Sequence, residues 1–183
     1  RIALVDFNND CVQDSLLVCK AMFNQWRTLQ EMGQPEEADR YRLYGVRLDT
    51  SGSLRDVSVP PLGDPALDLG VNPRLVFTVR QALDHAWESW DLPMEWQEAA
   101  QSYCQGVKIV VSGGFSPEKI TRFEKLNVPV DIYAVGSSLF SNNGATVTDY
   151  TADVVRVKVQ DQWLDMAKVG RQACDNPDLE RVW

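Results

Sequence analysis

The sequence predicts an α/β fold with parallel strands, and three observations carry that expectation. Short apolar runs rich in β-branched residues recur at 2–5, 43–48, 107–111 and 131–135. Such runs suit strands covered on both faces of a parallel sheet. Longer stretches with apolar residues at helical spacing separate them. Capping and turn residues mark the changes of pattern, among them Asp10, Gly33, Asn72-Pro73 and Ser116-Pro117.

The first run ends in Asp6 and opens into the polar loop Phe7-Asn8-Asn9-Asp10. Asp10 can cap a helix over 12–32, with Leu16, Leu17, Met22, Phe23 and Trp26 among its apolar positions, and Gly33 stops it. Gln34-Pro35-Glu36-Glu37 reads as a turn with a short helical start. The second strand, 43–48, ends in Arg47-Leu48-Asp49 and opens into the hydroxyl-rich Thr50-Ser51-Gly52-Ser53. Residues 57–71 hold three prolines and two glycines and read as an irregular excursion. Asn72-Pro73 then opens a helix to about residue 90, with His85 in its middle, and a further helix covers 98–103. His85 has no identified partner and reads as a structural or surface residue. Trp87, Trp90 and Trp96 read as packing residues.

The third strand, 107–111, is followed by Ser112-Gly113-Gly114 and a new helix. Ser116 can cap that helix, and Pro117 suits a first position that needs no amide donor. Ile120, Phe123 and Leu126 give it an apolar face. The fourth strand, 131–135, ends in Gly136-Ser137-Ser138. Residues 151–159 form another β-like run, alternating at Val155, Val157 and Val159, and 160–183 is a tail with few structural signals.

Alternating strands and helices with right-handed crossovers make a parallel sheet. Four strands do not close an eight-stranded barrel, and the chain opens inside a strand at Arg1-Ile2. The expected architecture is therefore an incomplete TIM-like β/α barrel, its C-terminal half, over 1–159, completed by chain missing here. A doubly wound open sheet is the alternative.

At 183 residues with 44% hydrophobic content the chain can bury a real core. Its net charge of −8 argues against general affinity for nucleic acid or membrane surfaces. Cys11, Cys19, Cys104 and Cys174 lack metal-ligand spacing, and with one histidine no zinc site is expected. Nothing resembles a disulfide framework, a signal peptide or a membrane span, which favours a cytoplasmic protein with reduced thiols.

The chemistry is expected at the strand ends. Adjacent glycines let an anion approach the backbone, and a fresh helix N-terminus offers free amides and a favourable dipole. Ser112, Gly113 and Gly114 thus suit phosphate, although the same pattern also serves as a plain corner. Gly136, Ser137 and Ser138 make a second such loop. Adjacent barrel strands deliver their loops to one face, where a shared phosphate site can form. Arg47 offers a planar fork for phosphate or carboxylate oxygens, and Asp49 can hold ribose hydroxyls or a metal-bound pyrophosphate. A surface salt bridge is the plainer reading of that pair.

Four pieces, in this order and spacing, resemble the nicotinate phosphoribosyltransferases, especially their archaeal-like branch. They are Leu4-Val5-Asp6 with its Asn/Asp-rich loop, Gly45-Val46-Arg47-Leu48-Asp49-Thr50, Val107-Lys108-Ile109 into Ser112-Gly113-Gly114, and Val135-Gly136-Ser137-Ser138. The second is the most specific. The resemblance implies synthesis of nicotinate mononucleotide and pyrophosphate from nicotinate and 5-phosphoribosyl pyrophosphate in NAD salvage, with ATP hydrolysis and Mg2+. It implies a 5′-phosphate site at Ser112, Gly113, Gly114, Gly136, Ser137 and Ser138. Arg47 and Asp49 would lie near the ribose and pyrophosphate. Asp6 would orient a phosphorylatable histidine that His85 does not match and that should lie upstream. It further implies a homodimer or higher assembly sharing the pocket, and a missing N-terminal portion that contributes to the nicotinate pocket. The sequence departs from the family in its Thr50-Ser51-Gly52-Ser53-Leu54-Arg55 loop, in Ala134 where glycine is expected, and in lacking the zinc-knuckle cysteines of some members. Quinolinate or nicotinamide phosphoribosyltransferase, a catalytically silent paralogue serving in binding or assembly, and a generic sugar-phosphate barrel enzyme are the alternatives.

Overall fold

Four strands pair side by side in chain order in a computed structural model that describes residues 1–136, 138 and 153–171. They are β1 (Ile2–Leu4), β2 (Gly45–Leu48), β3 (Lys108–Val111) and β4 (Ile132–Tyr133), all parallel. The register aligns Ala3 with Val46 and Ile109, and Leu4 with Arg47, Val110 and Ile132. The molecule is thus mixed α/β, and among the described residues its four-stranded parallel sheet shows no reversal of strand order.

The connecting helices are α1 (Cys11–Glu31), α2 (Pro35–Ala38), α3 (Pro65–Asp68), α4 (Pro73–His85), α5 (Met94–Gly106) and α6 (Pro117–Lys125). Their starts follow the capping chemistry of the sequence. Asp10 accepts from the Gln13 amide, Asn72 from Leu75 and Ser116 from Lys119. Gly33, at φ +70°, follows the end of α1.

Alternation divides the sheet. Ala3, Val46, Leu48, Ile109 and Val111 join one core with Phe23, Leu75, Val79, Leu83 and Tyr103 of the helices. On the opposite face Ile2, Leu4, Arg47, Lys108 and Ile132 are exposed. Trp26, Trp90 and Trp96 pack into one aromatic cluster with Phe23 and Tyr103, and Trp87 packs against the same core.

Several local expectations change. The buried stripe of α1 is Cys11, Ser15, Cys19, Phe23, Trp26 and Leu29, while Leu17 is exposed. Small thiols let α1 approach its neighbours closely, and Cys19 Sγ lies 3.9 Å from Cys104 Sγ. The α4 helix ends at His85, which is exposed and paired with Glu88 at 2.8 Å, rather than running on to Trp90. Leu126 falls just past the end of α6 and is half exposed, so Phe123 anchors that helix. The run at 151–159 yields β5 (Arg156–Val159), which pairs antiparallel with β6 (Gln162–Asp165). The second hairpin strand occupies part of the stretch expected to be a tail with few structural signals.

Candidate functional site

Parallel strands paired in order bring all their carboxyl ends to one edge. Asp6 follows β1, Asp49 and Thr50 follow β2, Ser112-Gly113-Gly114 follows β3, and Ala134-Val135-Gly136 follows β4. Of the expected residues, Arg47, Asp49, Ser112, Gly113, Gly114 and Gly136 meet there. A cavity of about 390 Å³ is lined by Arg47, Asp49, Ser112, Gly113 and Gly114, closed by Phe115 and by residues 134–136.

Hydrogen bonds join the loops. Arg47 Nη2 lies 2.9 Å from Asp49 Oδ2, and its Nε donates to Ser112 Oγ at 3.2 Å. Ser112 donates to the Leu48 carbonyl from both its amide (2.9 Å) and its hydroxyl (3.2 Å). The guanidinium is therefore held across two strand ends while half exposed to the cavity. Gly113 and Gly114 have φ +87° and +67°, a region that penalises other residues. A Cβ on Gly113 would stand 3.3 Å from Asp49 Oδ1, so the bare backbone also leaves room for that carboxylate. Gly136 is different: its backbone is not left-handed, and a Cβ there would meet nothing within 4 Å among the described residues.

The rest of the β3–α6 turn is firm. Phe115 packs edge-on against Phe123, with ring centroids 5.0 Å apart. Lys119 Nζ donates to the Gly113 carbonyl at 3.2 Å and lies 4.2 Å from the Phe115 ring centre. Burial, aided by Arg122, lowers the Lys119 ammonium below the usual lysine range. Ser138 donates its hydroxyl to the Phe115 carbonyl at 2.9 Å, so its described bond ties the two loops together. Ser137 lies outside the described residues.

Asp6 does not line the cavity. Its side chain is 1% exposed, and Oδ2 is ion-paired with Lys168 Nζ. Oδ1 has no hydrogen-bond partner among the described residues. Burial pushes the Asp6 carboxyl above the ordinary aspartate range, and Lys168 draws it partly back. Lys168 also donates to the Asp49 carbonyl at 3.2 Å. Sequence reasoning missed Lys168 as a member of the site. It follows no motif, and its partner Asp6 is distant in the chain.

Among the described residues no three His, Cys, Asp or Glu side chains gather as a metal site, and no helix is long and apolar enough to cross a membrane. A larger cavity of about 680 Å³ lies along the surface of α6, between Pro117 and Leu126, and its lining includes none of the strand-end residues Arg47, Asp49 and Ser112-Gly113-Gly114. No family model matches the chain, and neither a curated protein nor a solved structure matches it.

Proposed function

We propose that the strand-end cleft binds the phosphorylated ribose of 5-phosphoribosyl pyrophosphate, and that the protein is a nicotinate phosphoribosyltransferase of NAD salvage. The observation that carries this reading is the convergence of Arg47, Asp49, Ser112-Gly113-Gly114 and Gly136 on one cavity. The glycine loops would receive the 5′-phosphate on backbone amides, with the α6 N-terminus adding its dipole. Asp49 would accept ribose hydroxyls, and Arg47 would face the departing pyrophosphate.

The bond at ribose C1 breaks with oxocarbenium character as nicotinate nitrogen bonds to that carbon and pyrophosphate leaves. The chain's work is to orient the sugar and to hold charge on either side of it. The donor set suits a magnesium ion that arrives with pyrophosphate rather than a resident one. Among the described residues Asp49 is the one partly exposed carboxylate of the cavity lining, and magnesium is commonly held by one or two carboxylates with substrate phosphates. Asp6 has Lys168 as its described partner, so coupling to ATP through a histidine calls on residues outside those described. The chain-order parallel sheet, with its strand ends forming the site, supports half of a β/α barrel. Completion by further chain, a pocket shared in a dimer and a cytoplasmic setting belong to the same proposal.

The test is product analysis on the intact protein with 5-phosphoribosyl pyrophosphate, magnesium and ATP. Nicotinate, nicotinamide and quinolinate are supplied in separate reactions. Nicotinate mononucleotide from nicotinate alone is the expected result. Product from another base would reassign the substrate. No product with retained sugar-phosphate binding would identify a silent paralogue.

A further inference from the structure

We propose that Lys168 is a positioning residue for the cleft, and that the segment 166–171 is a strap that makes the cleft depend on the chain after the hairpin. The strap is attached at several points. The Val169 amide donates to the Phe7 carbonyl at 2.9 Å, just beyond Asp6. Gly170, at φ +85°, sits so close to Leu54 that a Cβ would stand 2.9 Å from its Cδ1. Arg171 pairs with Asp153 at 2.9 Å, tying the strap to the chain entering β5. The Met166 amide donates to the Val155 carbonyl at 3.0 Å.

Between these points Lys168 extends inward, with its side chain 16% exposed. One ammonium meets two strand ends: the buried Asp6 carboxylate after β1 and the Asp49 carbonyl after β2. Asp49 in turn fixes Arg47, which bonds Ser112 after β3. A chain of contacts thus runs from strap to glycine loop through Lys168, Asp49, Arg47 and Ser112. Lys168 does not line the cavity, so it acts through Asp49. The consequence for ligand affinity rests on the phosphate reading of the cleft; the consequence for Arg47 does not.

The experiment compares the intact wild-type protein with Lys168→Met and with the double variant Asp6→Asn/Lys168→Met. The double variant removes the uncompensated buried charge and so keeps the fold. Two readouts are followed. The first is hydrogen exchange of the Arg47 Nε–H by NMR. The second is affinity for 5-phosphoribosyl pyrophosphate with magnesium. The expected result is faster Arg47 exchange and about a 10- to 100-fold affinity loss in both variants. The melting temperature falls in the single variant and recovers in the double one. Recovery of Arg47 exchange and affinity together with stability would overturn the proposal, leaving Lys168 a purely structural partner of Asp6. Wild type that binds no ligand, while Arg47 still responds to Lys168→Met, would support positioning and reject the phosphate reading.

Discussion

The two ends of the same four strands are built differently. At the amino end, side chains close onto backbone. Tyr103 accepts from the Leu43 amide at 3.0 Å and donates to the Tyr41 carbonyl at 2.6 Å. Arg80 donates to the Val107 carbonyl at 2.6 Å. Asp131 accepts from the Ile109 amide at 2.8 Å and pairs with Lys108 at 2.9 Å. At the carboxyl end there are two left-handed glycines, a half-exposed guanidinium and a buried carboxylate oxygen without a hydrogen bond among the described residues. One end is spent on holding the strands, and the other keeps polar capacity in reserve. That asymmetry is what a parallel α/β sheet offers a ligand, since loops at the carboxyl end vary while the opposite end carries stability.

Lys168→Met should break the comparison most severely. It leaves Asp6 buried without its cation, at a cost of about 3 kcal/mol in urea unfolding at neutral pH. Among the described residues the charged groups facing Asp6 are Lys168 and Asp49. Losing Lys168 raises the folded-state carboxyl further above its unfolded value, so the folded variant binds a proton more tightly than the unfolded chain. Stability of the variant therefore falls as pH rises from the ordinary aspartate range through the raised folded value. The deficit against wild type shrinks on acidification. A deficit that grows on acidification would contradict the Asp6 account.

Tyr103→Phe tests the amino end. It strands the buried Leu43 amide and should cost about 2 kcal/mol in the same assay, with sugar-phosphate affinity unchanged. Gly113→Ala should cost about 1 kcal/mol for a left-handed residue. It should also weaken sugar-phosphate binding by crowding Asp49, whereas Gly136→Ala should leave stability as it was. Asp131→Asn keeps an acceptor for Ile109 and loses only a partly exposed charge pair, so a change below about 0.5 kcal/mol is expected. A larger loss would give that surface pair more weight than its exposure allows.

Much of this was legible in the sequence because local chemistry carried it. Apolar runs marked the strands, and Asp10, Asn72 and Ser116 marked helix starts by the bonds they make. The strand-end residues could be read as one group because parallel pairing in chain order collects carboxyl ends automatically. What escaped depended on distant or disguised partners. The β5–β6 turn is Gln160-Asp161, both with positive φ, and neither is the glycine that usually advertises such a turn. The α1 stripe used Cys11, Ser15 and Cys19 where larger apolar residues were expected. Lys168 was hidden because its meaning comes from Asp6 and Asp49, which only the folded strap brings within reach.

The central claim is that the carboxyl end of the sheet receives a phosphorylated ribose. The most direct test is calorimetric titration of 5-phosphoribosyl pyrophosphate with magnesium into wild type and Gly136→Asp. That substitution places negative charge at a cavity position where, among the described residues, a Cβ meets no neighbour within 4 Å, and the melting temperature checks that the fold is kept. The account predicts saturable binding to wild type and at least about a tenfold loss in the variant at equal melting temperature, a difference of about 1.4 kcal/mol. Equal affinity in both proteins, or none in wild type, would contradict it.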